Sequence, residues 1–204
     1  MKPVWFWLVQ VRYIIALIVL LSLPPSIMLW LMIHPFARFW RKLGPGWTYG
    51  LLGVPVAIVM VGLFLARDSL LATEFGTSYP LIALTVLCLT GAAIIAQKRR
   101  KHLTFGILAG LPELSQKRYP GKLLTDGLYA KIRHPRYVET LLWVLGYAFF
   151  ANYLALYIVF LLSLPAIYFV VIFEERELRD RFGAEYDNYC RKVPRFVPSI
   201  SQRS

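Results

Sequence analysis

The sequence predicts an all-α integral membrane protein of about five transmembrane helices, the last two forming a short helical hairpin. Three observations predict it. Of the 204 residues, 58% are hydrophobic and 15% aromatic, well above the apolar share of an ordinary soluble domain. Three runs without a charged residue, Tyr13 to Ile33, Trp47 to Ala66 and Pro80 to Ala96, match the roughly 17 to 25 residues that cross a bilayer as helix. The Lys and Arg residues gather in alternate connections between the apolar runs.

The first run grows out of "MKPVWFWLVQVRYIIALIV", which has an apolar core but no small-residue cleavage site after it. It therefore reads as a retained helix rather than a removable signal peptide. Pro24 and Pro25 at its middle predict a kink or break, tolerated in a membrane helix when neighbours serve the freed carbonyls. The second and third runs are ordinary spans. The last apolar stretch, Val138 to Phe173, has 36 residues and one charge, Glu139. It is too long for one crossing and short for two with a loop, so it reads as a tight hairpin. Its turn belongs near Asn152, the only strongly polar residue between Thr140 and Ser163, where a turn at the interface keeps backbone polar groups hydrated.

Five alternating spans place 20 of the 23 Lys and Arg residues on one side, with ten between the third span and the hairpin and seven in the tail. A single span in place of the hairpin would set those two groups on opposite sides. The excess of positive charge then predicts an N-terminus outside and a cytoplasmic loop and tail. The net charge of +12 suits loops facing anionic membrane lipids, and no nucleic-acid reading module accompanies it. Cys88 falls inside a span and Cys190 in the tail, while His34, His102 and His134 are scattered, so neither a disulfide nor a metal site is predicted.

A hairpin returns its ends to one side, so "IRHPRYVET" and "FEERELRDRFGAEYDNYCRKVP" are expected to be neighbours, with Arg133 and His134 close to Glu174 and Glu175. Pro135 suits the first helical position, which puts His134 at the cap. A helix N-terminus flanked by Arg133 and Arg136 attracts a carboxylate or phosphate. The acidic pair suits hydroxyls, amines or a cation. The same residues also read as interfacial anchors, an aromatic belt and a solvated charged helix face.

The order "KLLTDGLYAKIRHPRY", a short hairpin, then "EERELRDRFGAEYDNYCRKVPRFVP" resembles the integral-membrane methyltransferases of the isoprenylcysteine carboxyl methyltransferase and phospholipid methyltransferase superfamily. The likeness covers Lys122 to Pro198. Its elements are a Thr-x-Gly-x-Tyr lead-in, Arg-His-Pro-x-Tyr, an acidic pair, Phe-Gly-x-x-Tyr-x-x-Tyr and a Val-Pro ending. The resemblance implies S-adenosylmethionine as cofactor, in a pocket between cytoplasmic loop, hairpin and tail, and a lipid-like or small hydrophobic acceptor. It divides the chain into three N-terminal spans, 1–97, and a catalytic region, 98–204.

Carried over by position, Leu123, Leu124 and Tyr129 line the nucleoside pocket, with Lys122 adjoining. His134, Pro135, Arg136 and Tyr137 contact the donor, and Glu174 holds one of its polar groups. Gly127 serves backbone geometry, Tyr186 and Tyr189 pack the tail onto the hairpin, and Arg133 is expected to position an anionic acceptor. Two positions depart from the family: Val170 stands where the prenylcysteine enzymes can carry arginine, and Glu139 where glycine is common. An ionisable residue just inside a span is a functional candidate, so Glu139 is expected to recognise a cationic or hydroxyl-bearing acceptor or else to pair with Arg136 or a hairpin neighbour. Two other readings remain open on sequence: a membrane reductase using a nicotinamide nucleotide on a sterol-like substrate, and a non-enzymatic scaffold.

Overall fold

A computed structural model describes residues 3–100 and 123–198. They form α1 (Val4–Ile33), α2 (Ala37–Leu65), α3 (Arg67–Leu70), α4 (Tyr79–Arg100), a 3-10 turn (Gly127–Ala130), α5 (Pro135–Ala151), α6 (Leu154–Phe182) and α7 (Ala184–Lys192). Among the described residues, the only isolated β-bridge joins Glu74 and Tyr153. Four helices are long and apolar enough to cross a membrane: Trp5–Ile33, Ala37–Leu65, Tyr79–Arg100 and Leu154–Phe182. Large apolar side chains such as Ile58 and Leu162, each 66% exposed, stand on their outer faces, as a lipid solvent allows.

Two of the proline-containing helices, α1 and α2, behave differently from their pattern. α1 runs through Pro24 and Pro25 as one helix, so the predicted break does not occur. The discontinuity lies instead at Gly44 in α2, whose φ of 79° and ψ of 167° leave the helical region. Gly44 precedes Pro45, and the residue before a proline is driven out of the α conformation. α2 is thus two pieces, residues 37–43 and 45–65.

The predicted hairpin is formed by α5 and α6. α5 has 17 residues and ends on Asn152 in the left-handed conformation, φ 56°, which a short polar side chain accepts more readily than most. The turn is tied down from outside. Arg12, 2% exposed, donates to the carbonyl of Ala151 at 2.8 Å and to that of Gly76 at 2.7 Å, and it pairs with Glu74 at 2.9 Å. Asn152 Nδ2 donates to the same Gly76 carbonyl at 2.9 Å. Between this knot and the opposite end, Ala16, Val19, Leu20 and Leu23 of α1 pack with Val144, Ala148, Ala151 and Leu156 of the hairpin. α4 closes on α5 at Gly146, where an added Cβ would lie 2.7 Å from Leu89 Cδ2. Such close approach at a small residue is how helices associate where lipid removes the hydrophobic drive.

Candidate functional site

The opposite end of the hairpin gathers the charged side chains singled out by sequence. Pro135 opens α5 with His134 at the cap, and the chain just before it is stitched to the tail. The Arg133 and His134 amides donate to the carbonyls of Pro194 at 2.9 Å and Arg195 at 3.0 Å. α7 supports that return: Tyr186 and Tyr189 are buried with Val193 and Leu123, and the Tyr189 hydroxyl donates to the Tyr129 carbonyl at 2.6 Å. Burial pushes the Tyr129 phenol up to about 12 and raises that of Tyr189 as well.

Glu174 and Glu175 differ sharply. Glu175, its side chain 1% exposed, lies 3.1 Å from Arg133, 3.1 Å from His134 Nε2 and 2.9 Å from Arg195. The Arg133 side chain is 9% exposed and also donates to Cys190 Sγ. Glu174, its side chain 25% exposed, lies 3.7 Å from His134 Nδ1 and accepts from the Tyr137 hydroxyl at 2.8 Å. One carboxylate is enclosed by cations, and the next stays open to a ligand.

The end of α1 joins this cluster, which nothing in the motif pattern announced. His34 caps the helix and stacks on Trp30 with ring centroids 5.2 Å apart, while the Arg136 guanidinium lies 5.2 Å from the Trp30 ring. Burial holds the His34 imidazole below its ordinary value; Glu174 opposes that shift, and Arg136 and His134 add to it. Beside the cluster a cavity of about 360 Å³ runs between α1 and the hairpin, lined by Ser22, Ser26, Trp30, Arg136, Tyr137 and Thr140 among others. Arg136 is the one charged residue in its wall.

Of the residues singled out by sequence, the structure brings Arg133, His134, Pro135, Arg136, Tyr137 and Glu174 together at one end of the hairpin. Leu123 is buried against the tail, whereas Leu124 and Tyr129 are half-buried. Gly127 has a φ of 61°, a conformation cheap only for glycine. Lys122 lies outside the described residues. Glu139 is 8% exposed and turned to α4, where Arg99 holds both its oxygens at 2.7 and 3.1 Å. Its ion pair is therefore made to α4, a partner that the expected pairing with Arg136 or a hairpin neighbour did not include. Val170 is 1% exposed. Sequence missed His34, Arg99 and Arg195; for Arg99 and His34 the usable signal was their place at the basic ends of two spans.

Residues 79–185, just over half of the chain, match the phospholipid methyltransferase family. The chain belongs to that family. It is similar to the protein-S-isoprenylcysteine O-methyltransferase of Schizosaccharomyces pombe, with 37% identity over 79 residues, covering 38% of this chain and 34% of the relative. It is also similar to the methanethiol S-methyltransferase of Crocosphaera subtropica, with 33% identity over 103 residues, covering 49% and 39%. A third relative is a nickel-cobalt-cadmium resistance protein of Alcaligenes xylosoxydans xylosoxydans, at 32% identity over 80 residues, covering 39% and 38%. The chain thus spans between about a third and two-fifths of the length of these relatives. The family match takes in α4, the hairpin and the start of α7, and leaves α1 outside it.

Proposed function

We propose that this phospholipid methyltransferase family member transfers a methyl group from S-adenosylmethionine to a lipid-like or small hydrophobic acceptor held at the membrane. The observation that carries the reading is the Glu174 carboxylate, a quarter exposed and bonded to Tyr137, which lines an apolar cavity together with Arg136. Opposite charges on neighbouring groups suit a zwitterionic amino-acid moiety, so the residues fit this donor.

In this reading Arg136 holds the donor's carboxylate at the N-terminal end of α5, where the helix dipole favours an anion. Glu174 accepts from its ammonium or hydroxyls, His134, Pro135 and Tyr137 shape the same wall, and Leu124 and Tyr129 border the nucleoside with Lys122 adjoining. Leu123 acts through the tail it packs against. The donor, when bound, supplies the methyl group; the protein contributes alignment and exclusion of water. Arg133 and Glu139, whose charges are met by Glu175 and Arg99, hold the frame. Acceptor contact passes to the cavity wall formed by Ser26, Trp30 and Thr140. Counting α5 gives five crossings, with the N-terminus outside and the charged hairpin ends in the cytoplasm.

The relatives' printed names, an isoprenylcysteine O-methyltransferase and a methanethiol S-methyltransferase, support methyl transfer and leave the acceptor atom open. The test is incubation of the full chain in lipid with methyl-labelled donor and three acceptor classes: a prenylated cysteine, an amine-headed phospholipid and a small thiol. Label should enter one class and be lost with Glu174→Gln. Label in none of them, with donor binding intact, would overturn the acceptor assignment.

A further inference from the structure

The piece of α2 ahead of the Gly44 break presents two unlike outward faces. At 3.6 residues per turn, Phe36, Phe39 and Leu43 fall on one stripe, and they are 60%, 53% and 37% exposed. Trp40 turns inward instead, donating from its indole to the Met32 carbonyl at 2.8 Å and packing with Ile33 and Leu52. Arg38 and Lys42, one turn apart, are exposed on another side. Arg41 is held by Glu177 of α6. The segment then continues through Gly44 and Pro45 into an apolar span.

A short helix with an apolar stripe, exposed bases and direct continuity with a membrane span fits the plane of the headgroups, its stripe in the acyl boundary and its bases among phosphates. We propose that residues 37–43, with Phe36 at the cap, form an in-plane helix that binds anionic glycerophospholipid of the surrounding bilayer, with Arg38 and Lys42 as the phosphate contacts. Asp180 is the internal competitor for that lipid: it accepts from Arg38 at 2.8 Å, with side chains 40% and 80% exposed respectively. Because Asp180 sits on α6 six residues beyond Glu174, leaflet charge meets the helix that carries the proposed donor site. The inference does not depend on the methyl-transfer reading.

The test is native mass spectrometry of the full chain in detergent, titrated with phosphatidylglycerol and, in parallel, phosphatidylcholine. Each basic residue near anionic lipid contributes roughly a fivefold change in affinity. Arg38→Gln with Lys42→Gln should weaken the tightest phosphatidylglycerol binding by roughly twentyfold and leave phosphatidylcholine unchanged. Asp180→Asn should tighten phosphatidylglycerol binding, because it frees Arg38. A purely structural Arg38–Asp180 bridge predicts losses in both variants, so weakened or unchanged binding in Asp180→Asn overturns the proposal even where the double variant folds poorly. Equal effects on the two lipids would overturn it as well, and would point to a surface for a protein partner.

Discussion

Glu175 is enclosed by Arg133, His134 and Arg195, with Arg179 at 3.8 Å, while Glu174 beside it keeps a quarter of its side chain in solvent. Removing one partner of a buried ionic group strands the others and costs roughly 3–5 kcal/mol. Glu175→Gln should therefore lower the unfolding temperature in detergent strongly. Glu174→Gln should leave it nearly unchanged, because a quarter of its side chain already meets solvent and an amide oxygen still accepts from the Tyr137 hydroxyl. Equal unfolding temperatures for the two variants would sink this division of roles. His34 supplies a pH dependence of known sign. Its imidazole is held below the unfolded value of about 6.5 by burial, so the unfolded chain takes up a proton first. Stability is present above about pH 6.5 and is lost as pH falls from there towards the depressed folded value. The difference in stability between wild type and His34→Gln, measured from pH 7.5 to 5, should shift against the wild type as pH falls; a flat difference would contradict it. At this scale Arg-His-Pro-x-Tyr and the acidic pair were legible because each motif is local. Arg195 and Arg99 were not, since their partners are set by the return of the tail and by helix contact.

The hairpin was legible as an element because its turn required a polar residue at the interface, and Asn152 was the only one in range. The break in α2 was written in "LGPGW" yet reads as an ordinary loop until the structure shows helix on both sides of Gly44. At Pro24 and Pro25 α1 stays one helix, as proline inside a membrane helix can when neighbouring groups serve the freed carbonyls. Packing between α4 and α5 depends on the bare backbone of Gly146, whose carbonyl accepts from Thr85 at 3.2 Å. Gly146→Leu would drive a branched side chain into Leu89 and Cys88 and cost roughly 1–3 kcal/mol as overpacking. The cost should appear as a lower unfolding temperature together with a loosened Arg99–Glu139 pair, since α4 and α5 carry both. Unaltered stability would show that the helices part without cost.

At the scale of the whole molecule, the hairpin is a rigid strut tied at both ends. Arg12, Glu74 and Asn152 bind its turn to the first span and to the connection before the third, and Glu175 binds its charged ends to the tail. An apolar core joins α1 to both hairpin helices between these knots. The donor site proposed above lies at the charged end of this strut, at Tyr137, Arg136 and Glu174, with Trp30 at the end of α1 lining the same wall as Arg136. Alternation of positive charge was enough to place that end opposite the turn, but the part played by α1 was hidden, because an apolar span carries no pattern that says which of its neighbours it will touch. The most direct measurement is calorimetry of the full chain in lipid, titrated with S-adenosylhomocysteine and, separately, with NADPH. The account predicts saturable heat with S-adenosylhomocysteine alone, weakened at least tenfold in Glu174→Gln at unchanged unfolding temperature. Heat with NADPH alone, or S-adenosylhomocysteine binding indifferent to Glu174→Gln, would contradict the donor site proposed at the hairpin's charged end.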